Sequence, residues 1–171
     1  ELQEKLAETN TIANKTELGF CSLKLAKIDL AEKLFRECLV GNFRNDPQIQ
    51  YGLALVLYEQ GNHQEAAEKL QASLKHNDYV EKLTERRLLL ARLYYILKEY
   101  EKAKELLQAI YDCQNNPEYF CLKGLLYKEL AEDEKSKAFF LTAIRIGQKL
   151  SPAQREEFRQ ALAIAEENLL E

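Results

Sequence analysis

Four small residues, Ala31, Ala66, Ala103 and Ser136, recur along this chain at steps of 35, 37 and 33. Each opens a run whose apolar positions follow a helical period. Phe35 and Cys38 come after the first, and Leu70, Ser73 and Leu74 after the second. Leu107 and Ile110 follow the third, Phe140 and Ala143 the fourth. A second amphipathic stretch precedes each run, holding Leu18-Gly19, then Leu53 and Ala54, then Leu90-Ala91, and finally Gly124. A period in the thirties kept over four units is the signature of helix pairs, each too small to close a core, that stack on their neighbours. The second and longest step places about three extra residues near Lys75 to Lys82.

The stretch from Pro47 to Asp78 shows the unit most clearly. Its first helix carries Tyr51, Leu53, Ala54, Leu57 and Tyr58, and Gln60-Gly61-Asn62 turns the chain. Pro47 suits a first helical position, where its missing N–H loses no bond. Gly61 suits the left-handed residue that ends a helix. Ala54 and Ala66 fall where two antiparallel helices approach most closely. This pattern resembles the tetratricopeptide repeat (TPR), a 34-residue helix-turn-helix unit. It departs from the family in lacking Trp at the usual aromatic site and Pro between units, at Phe43, Asp78 and Gln148. The resemblance implies an all-α fold: a right-handed α-solenoid of about four helix-turn-helix units with a C-terminal capping helix. The expected division of a single domain is a helical lead-in over 1–11 bearing Leu2 and Leu6, then repeats over 12–46, 47–80, 81–116 and 117–150. A capping helix over 151–171 closes it. Ser151-Pro152-Ala153-Gln154 predicts a capped helix start, with Phe158, Leu162, Ala165 and Leu169 on the buried face.

The 171 residues suffice for one domain with a substantial core. A net charge of −4, with 24 basic residues interleaved among 28 acidic ones, argues against binding a nucleic-acid backbone. No apolar run approaches the length of a membrane span, so no direct membrane insertion is expected. The chain contains no Met, so Glu1 reads as an interior or processed start. Its expected place is the cytoplasm, with tethering through a segment upstream of Glu1 as the alternative. Cys21, Cys38, Cys113 and Cys121 form no CxxC pair, and three of them fall inside helical stretches with apolar neighbours, where free Cys behaves as a small hydrophobe. A Cys113–Cys121 bridge across Asn115-Asn116-Pro117 is the alternative. His63 stands where the repeat commonly has an aromatic residue, and neither it nor His76 has ligand-like neighbours.

No Gly-rich phosphate loop, GxSxG, HExxH or Cys–His pairing occurs. No enzyme, cofactor or metal site is therefore expected. In the family, the first helix of each unit lines a concave surface that takes peptides or single helices. By register, that implies a peptide-binding groove whose core is Phe20, Tyr51, Leu55, Tyr58, Leu88, Arg92, Tyr95 and Leu125. Leu23, Lys24, Glu59, Glu85, Leu89, Ile96, Cys121, Leu122 and Lys128 complete it. About half of these are expected to pack between units instead. The clamp by which some family members hold a terminal carboxylate is not matched, because its positions are Thr16, Phe20, Gly52, Glu85 and Leu89.

The function this implies is a non-enzymatic scaffold or adaptor holding a protein or peptide partner in an apolar, aromatic groove. A self-association module forming a homodimer, or a TPR-type secretion chaperone, are the alternatives. From Thr16 to about Leu169 the chain is also similar to a group of divergent, uncharacterised bacterial TPR proteins. Asp46-Pro47, Tyr51-Gly52-Leu53-Ala54, Leu90-Ala91-Arg92-Leu93-Tyr94, Pro117-Glu118 and the stretch from Pro152 to Arg159 carry that likeness.

Overall fold

The first helices of the first, second and fourth pairs each begin at a side-chain cap that the sequence supplies. The computed structural model describes residues 11–75 and 83–170. In it, the Thr11 hydroxyl accepts from the Asn14 N–H (3.2 Å) at the head of α1, Ile12–Lys24. Asp46 Oδ1 accepts from Gln48 N and Ile49 N at the head of α3, Pro47–Glu59. Asn116 Oδ1 does the same for Glu118 N and Tyr119 N at the head of α7, Pro117–Glu129. Both Pro47 and Pro117 stand in the first turn, where the fixed φ costs no hydrogen bond. The remaining first helix is α5, Leu83–Ile96.

The second helices are α2 (Ile28–Cys38), α4 (His63–Leu74), α6 (Tyr100–Gln108) and α8 (Asp133–Lys149). None has a side-chain cap. The turn itself supplies their starts. Ala26, Gly61, Lys98 and Ala131 hold φ of 55°, 78°, 60° and 57°. The following N–H groups of Lys27, Asn62, Glu99 and Glu132 donate five residues back, to Ser22, Leu57, Tyr94 and Tyr127 carbonyls, at 2.8–2.9 Å. This is the Schellman closure, repeated four times, with glycine at only one of the four left-handed positions.

Ala31, Ala66, Ala103 and Ser136 are all buried, as their spacing predicts. Twelve residues before each stands Gly19, Ala54, Ala91 or Gly124, and four residues after each stands Phe35, Leu70, Leu107 or Phe140. The two sets match in volume. Glycine goes with Phe in the first and fourth pairs, alanine with Leu in the second and third. A methyl on Gly19 would lie 2.8 Å from the Phe35 ring, and one on Gly124 2.5 Å from Phe140. The Phe35 ring also rests on Gly52 of the next first helix.

By contact the chain falls into two compact units, one ending at Arg86 and the other starting at Arg87. In the first unit, α1 packs on α2, α3 on α4, and α2 on α3. In the second, α7 packs on α8, and α6 on α7. The closing segment differs from the single helix expected. Ser151 and Gln154 do form the reciprocal capping box, but the helix stops at Glu157 and resumes at Arg159, giving α9 (Pro152–Glu157) and α10 (Arg159–Leu170). The two pieces are attached differently. In α9, Arg155 donates to the Gly147 and Gln148 carbonyls at the end of α8 (3.2 and 3.4 Å). In α10, Leu162 lies against Gly147, and Ala165 joins Cys121, Phe140 and Ala143 in a buried cluster. The described residues are helical with no strand, and none of their helices is long and apolar enough to cross a membrane. The expected lead-in with Leu2 and Leu6, most of the stretch from Lys75 to Lys82, and His76 lie outside the described residues.

Candidate functional site

In the first unit the candidate residues lie on α1 and α3. Tyr51, Leu55 and Tyr58 follow at i, i+4 and i+7 and so share one face of α3. Tyr51 is buried and forms the base. Burial raises its phenol pKa, Glu85 raises it further, and Arg86 opposes both. Phe20 stands edge-on to Phe35 at 5.0 Å and lies 6.2 Å from Tyr51. Above this base Phe20, Leu55 and Tyr58 remain partly exposed. Tyr58 is 5.7 Å from the His63 ring, which occupies the aromatic place read from the sequence.

In the second unit Leu88 is buried and supports rather than lines a surface. Arg92 is partly exposed and ion-paired with Glu118. Tyr95 is partly exposed and lies 5.9 Å from the Tyr100 ring, whose hydroxyl donates to Glu129 (3.0 Å). Burial, then Glu129, raises the Tyr95 phenol pKa. Leu125 packs against the cluster that α10 closes, and Lys128 donates to Asn168 of the same helix (2.8 Å). Cys121 belongs to that cluster, its thiol pushed up to about 11, mainly by burial. The structure thus splits the expected lining into partly exposed residues (Phe20, Leu55, Tyr58, Arg92, Tyr95 and Leu125, the last also packed on the α10 cluster) and buried ones (Tyr51, Leu88).

Two of the clamp positions are engaged in packing as well. Thr16 is buried with its hydroxyl donating to the Ile12 carbonyl, and Gly52 lies under Phe35. All four cysteines are free thiols, so Cys113 and Cys121 are not bridged, and Cys21 is exposed rather than packed.

Sequence reasoning missed Arg86. It is 1% exposed, donates to the Pro47 carbonyl (2.9 Å) and to the Gln48 side chain, and stacks 4.5 Å over the Tyr51 ring. The signal lay in the register: five residues before Ala54 and Gly124, the corresponding positions hold Ile49 and Tyr119, both buried.

Three family models match the chain, each described as a tetratricopeptide repeat, over residues 23–79, 57–126 and 117–148. No curated protein sequence matches it. Among solved structures, it is similar to MamA (residue 41 to the end) from Desulfovibrio magneticus RS-1, with 18% identity and a TM-score of 0.69. That match covers 94% of this chain and 92% of the other. It is similar to the thermophilic TPR protein TTC0263 of Thermus thermophilus, at 22% identity and a TM-score of 0.67, covering 91% and 81%. YrrB gives 13% identity and a TM-score of 0.69, covering 99% and 89%. With overlapping family models running from residue 23 to 148 and the same helix pairs in the structure, the chain belongs to the tetratricopeptide repeat family.

Proposed function

We propose that this protein is a non-enzymatic scaffold that binds a peptide or amphipathic helix on the partly exposed aromatic faces of its first helices. The observation that carries the reading is the first unit's patch of Phe20, Leu55 and Tyr58 on a buried base of Tyr51 and Phe35. Aromatic side chains fixed from below lose little entropy on binding and supply the anchors that dominate interface energy. Arg92 and Tyr95 offer a second, more polar patch in the other unit. Support also comes from YrrB, described as a TPR protein with an unusual peptide-binding site. The net charge of −4 favours a protein partner over a nucleic acid.

The test starts from helical peptides selected from a library against the full chain. Tyr58→Ala should weaken a selected peptide by about 2 kcal/mol, the size of a hot-spot loss, with the helical circular dichroism unchanged. Peptides indifferent to Tyr58→Ala, Leu55→Ala and Tyr95→Ala alike would refute the reading.

A second reading, self-association, is favoured by one observation. Leu18, Leu25 and Leu30 of the first hairpin are 52%, 67% and 41% exposed. Apolar surface of this kind pairs with another copy. Light scattering separates the two: a dimer that Leu18→Glu with Leu30→Glu converts to a monomer supports this reading, and a concentration-independent monomer rejects it.

A further inference from the structure

Ala13, Thr16, Phe20 and Lys24 follow one another on α1 at i, i+3, i+7 and i+11, and Gln48, Tyr51, Leu55 and Glu59 do the same on α3. Residues at these steps share one face of a helix. The heads of both helices line one cavity, and the Phe20 and Tyr51 rings lie 6.2 Å apart, so the two stripes run side by side.

The two ends of this pair of stripes differ. At the heads of α1 and α3, Ile12, Ala13, Thr16, Phe43 and Ile49 line a cavity of about 500 Å³, within the range of about 300–1,000 Å³ for ligand clefts. Polar groups on its wall have partners inside the protein. The Thr16 hydroxyl donates to the Ile12 carbonyl (2.8 Å), and Asp46 Oδ1 accepts from the Gln48 and Ile49 N–H groups (2.9 and 3.0 Å). The Gln48 side chain accepts from Arg86. What the wall leaves uncovered is apolar, including the Phe43 ring, which is 43% exposed. Burial of apolar surface is the gain available to an occupant here.

At the other end stand Lys24 and Glu59, both exposed. Among the described residues, the ion pairs of the first unit join Lys15 to Glu37 and Arg36 to Glu32 and Glu65, and neither Lys24 nor Glu59 takes part. Lys24 closes the α1 stripe and Glu59 the α3 stripe, so opposite charges flank the valley between them. From Ala13 to Lys24, as from Gln48 to Glu59, is eleven residues, about 16 Å along a helix.

Given a helix bound on these faces, as proposed above, we infer that the partner is an amphipathic helix with a bulky apolar residue (Leu, Ile, Met or Phe) that enters the cavity. About eleven residues away on the same side, it carries an acidic residue toward Lys24 and a basic one toward Glu59. The cavity contributes affinity through burial, and the two charges set which way round the helix sits. A helix with a charge at the anchor position meets an apolar wall that offers no partner, and is rejected.

The experiment measures, by fluorescence anisotropy, the binding of labelled helical peptides selected from a library against the full chain. Peptides that ignore Tyr58→Ala sink the groove reading itself and this inference with it. For peptides that need Tyr58, Ala13→Glu should weaken binding about tenfold, because it sets a carboxylate at the cavity wall. The variant should keep its fold, since Ala13 is exposed and lies in the first turn of α1, where a negative charge suits the helix. The double variant Lys24→Glu with Glu59→Lys should weaken the same peptides several-fold, and exchanging the acidic and basic residues of the peptide should restore them. Unchanged affinity with Ala13→Glu, or no recovery on the exchange, overturns the inference. So does tighter binding by Ala13→Glu, since part of this chain would then fill the cavity in the parent. A dimer that Ala13→Glu dissociates overturns it too, since a second copy would then be the occupant.

Discussion

A methyl group added to Gly124 tests whether the four helix pairs are built on volume matching. The new carbon would lie 2.5 Å from Phe140 Cε1 and 2.6 Å from Cδ1. Apolar carbons rest at about 3.5–4.0 Å, so the ring would have to retreat by about 1 Å. It has little room to do so, because it is buried. Overpacking of this kind costs about 1–3 kcal/mol. Replacing a mid-helix glycine by alanine returns about 0.5–1 kcal/mol. Gly124→Ala alone should therefore destabilise by about 1–2 kcal/mol. Phe140→Leu alone leaves a void and should cost about 1–2 kcal/mol, between a methyl deletion and a full truncation. Together they recreate the Ala–Leu pairs already present at Ala54 with Leu70 and Ala91 with Leu107. The double variant should accordingly lie within about 1 kcal/mol of the parent, a coupling of at least about 1 kcal/mol between contacting residues. Urea unfolding of the full chain and both single and double variants, with midpoint and slope compared, reads this directly. Strict additivity, or a Gly124→Ala variant as stable as the parent, would refute the volume-matching argument.

Further outcomes follow from other parts of the structure. Ala131→Gly and Lys98→Gly should each stabilise by about 0.5–1 kcal/mol, since left-handed strain in a non-glycine residue outweighs the added unfolded-state freedom. Gly61→Ala should cost about 1 kcal/mol in the same urea assay. Arg86→Ala should destabilise by about 2–4 kcal/mol, through two lost hydrogen bonds and the ring stacking, and Arg86→Lys should restore little of it because ammonium lacks the planar fork. Burial raises the Cys121 thiol from 9.0 to about 11. A pKa raised on folding gives a contribution that is complete below the unfolded value and lost as the pH climbs through the folded one. Cys121→Ala should therefore flatten the alkaline loss of stability over that window. Alkylation at mildly alkaline pH should label exposed Cys21 first and Cys121 only after unfolding, as peptide mapping would show.

The parts of this fold set by steric exclusion were legible in the sequence. Ala31, Ala66, Ala103 and Ser136 could be placed because only small residues fit a close helix crossing. Pro47 marks a helix start because its missing N–H loses no bond there. The turns were legible only at Gly61. Ala26, Lys98 and Ala131 adopt the same conformation because backbone hydrogen bonds hold each turn, overriding the residue's own preference. Arg86 escaped notice for a related reason. A cation read by composition belongs to the surface, and only its register against Ile49 and Tyr119 shows that it stands at a core position. Among the expected binding residues, Leu125 could not be separated from packing, because the cluster it joins is closed by α10, far along the chain.

The rings of Phe35 and Phe140 also govern which neighbour each hairpin accepts. Phe35 protrudes far enough to need a bare backbone at Gly52 in the helix that follows, and Phe140 meets Ala165 of the closing helix. The hairpins bearing leucine instead, Leu70 and Leu107, make no such demand for a glycine. Units of this chain are therefore not freely interchangeable beads. Shuffling them would move a bulky ring against a helix with a side chain in its path, so the order of the hairpins is written into their own interiors.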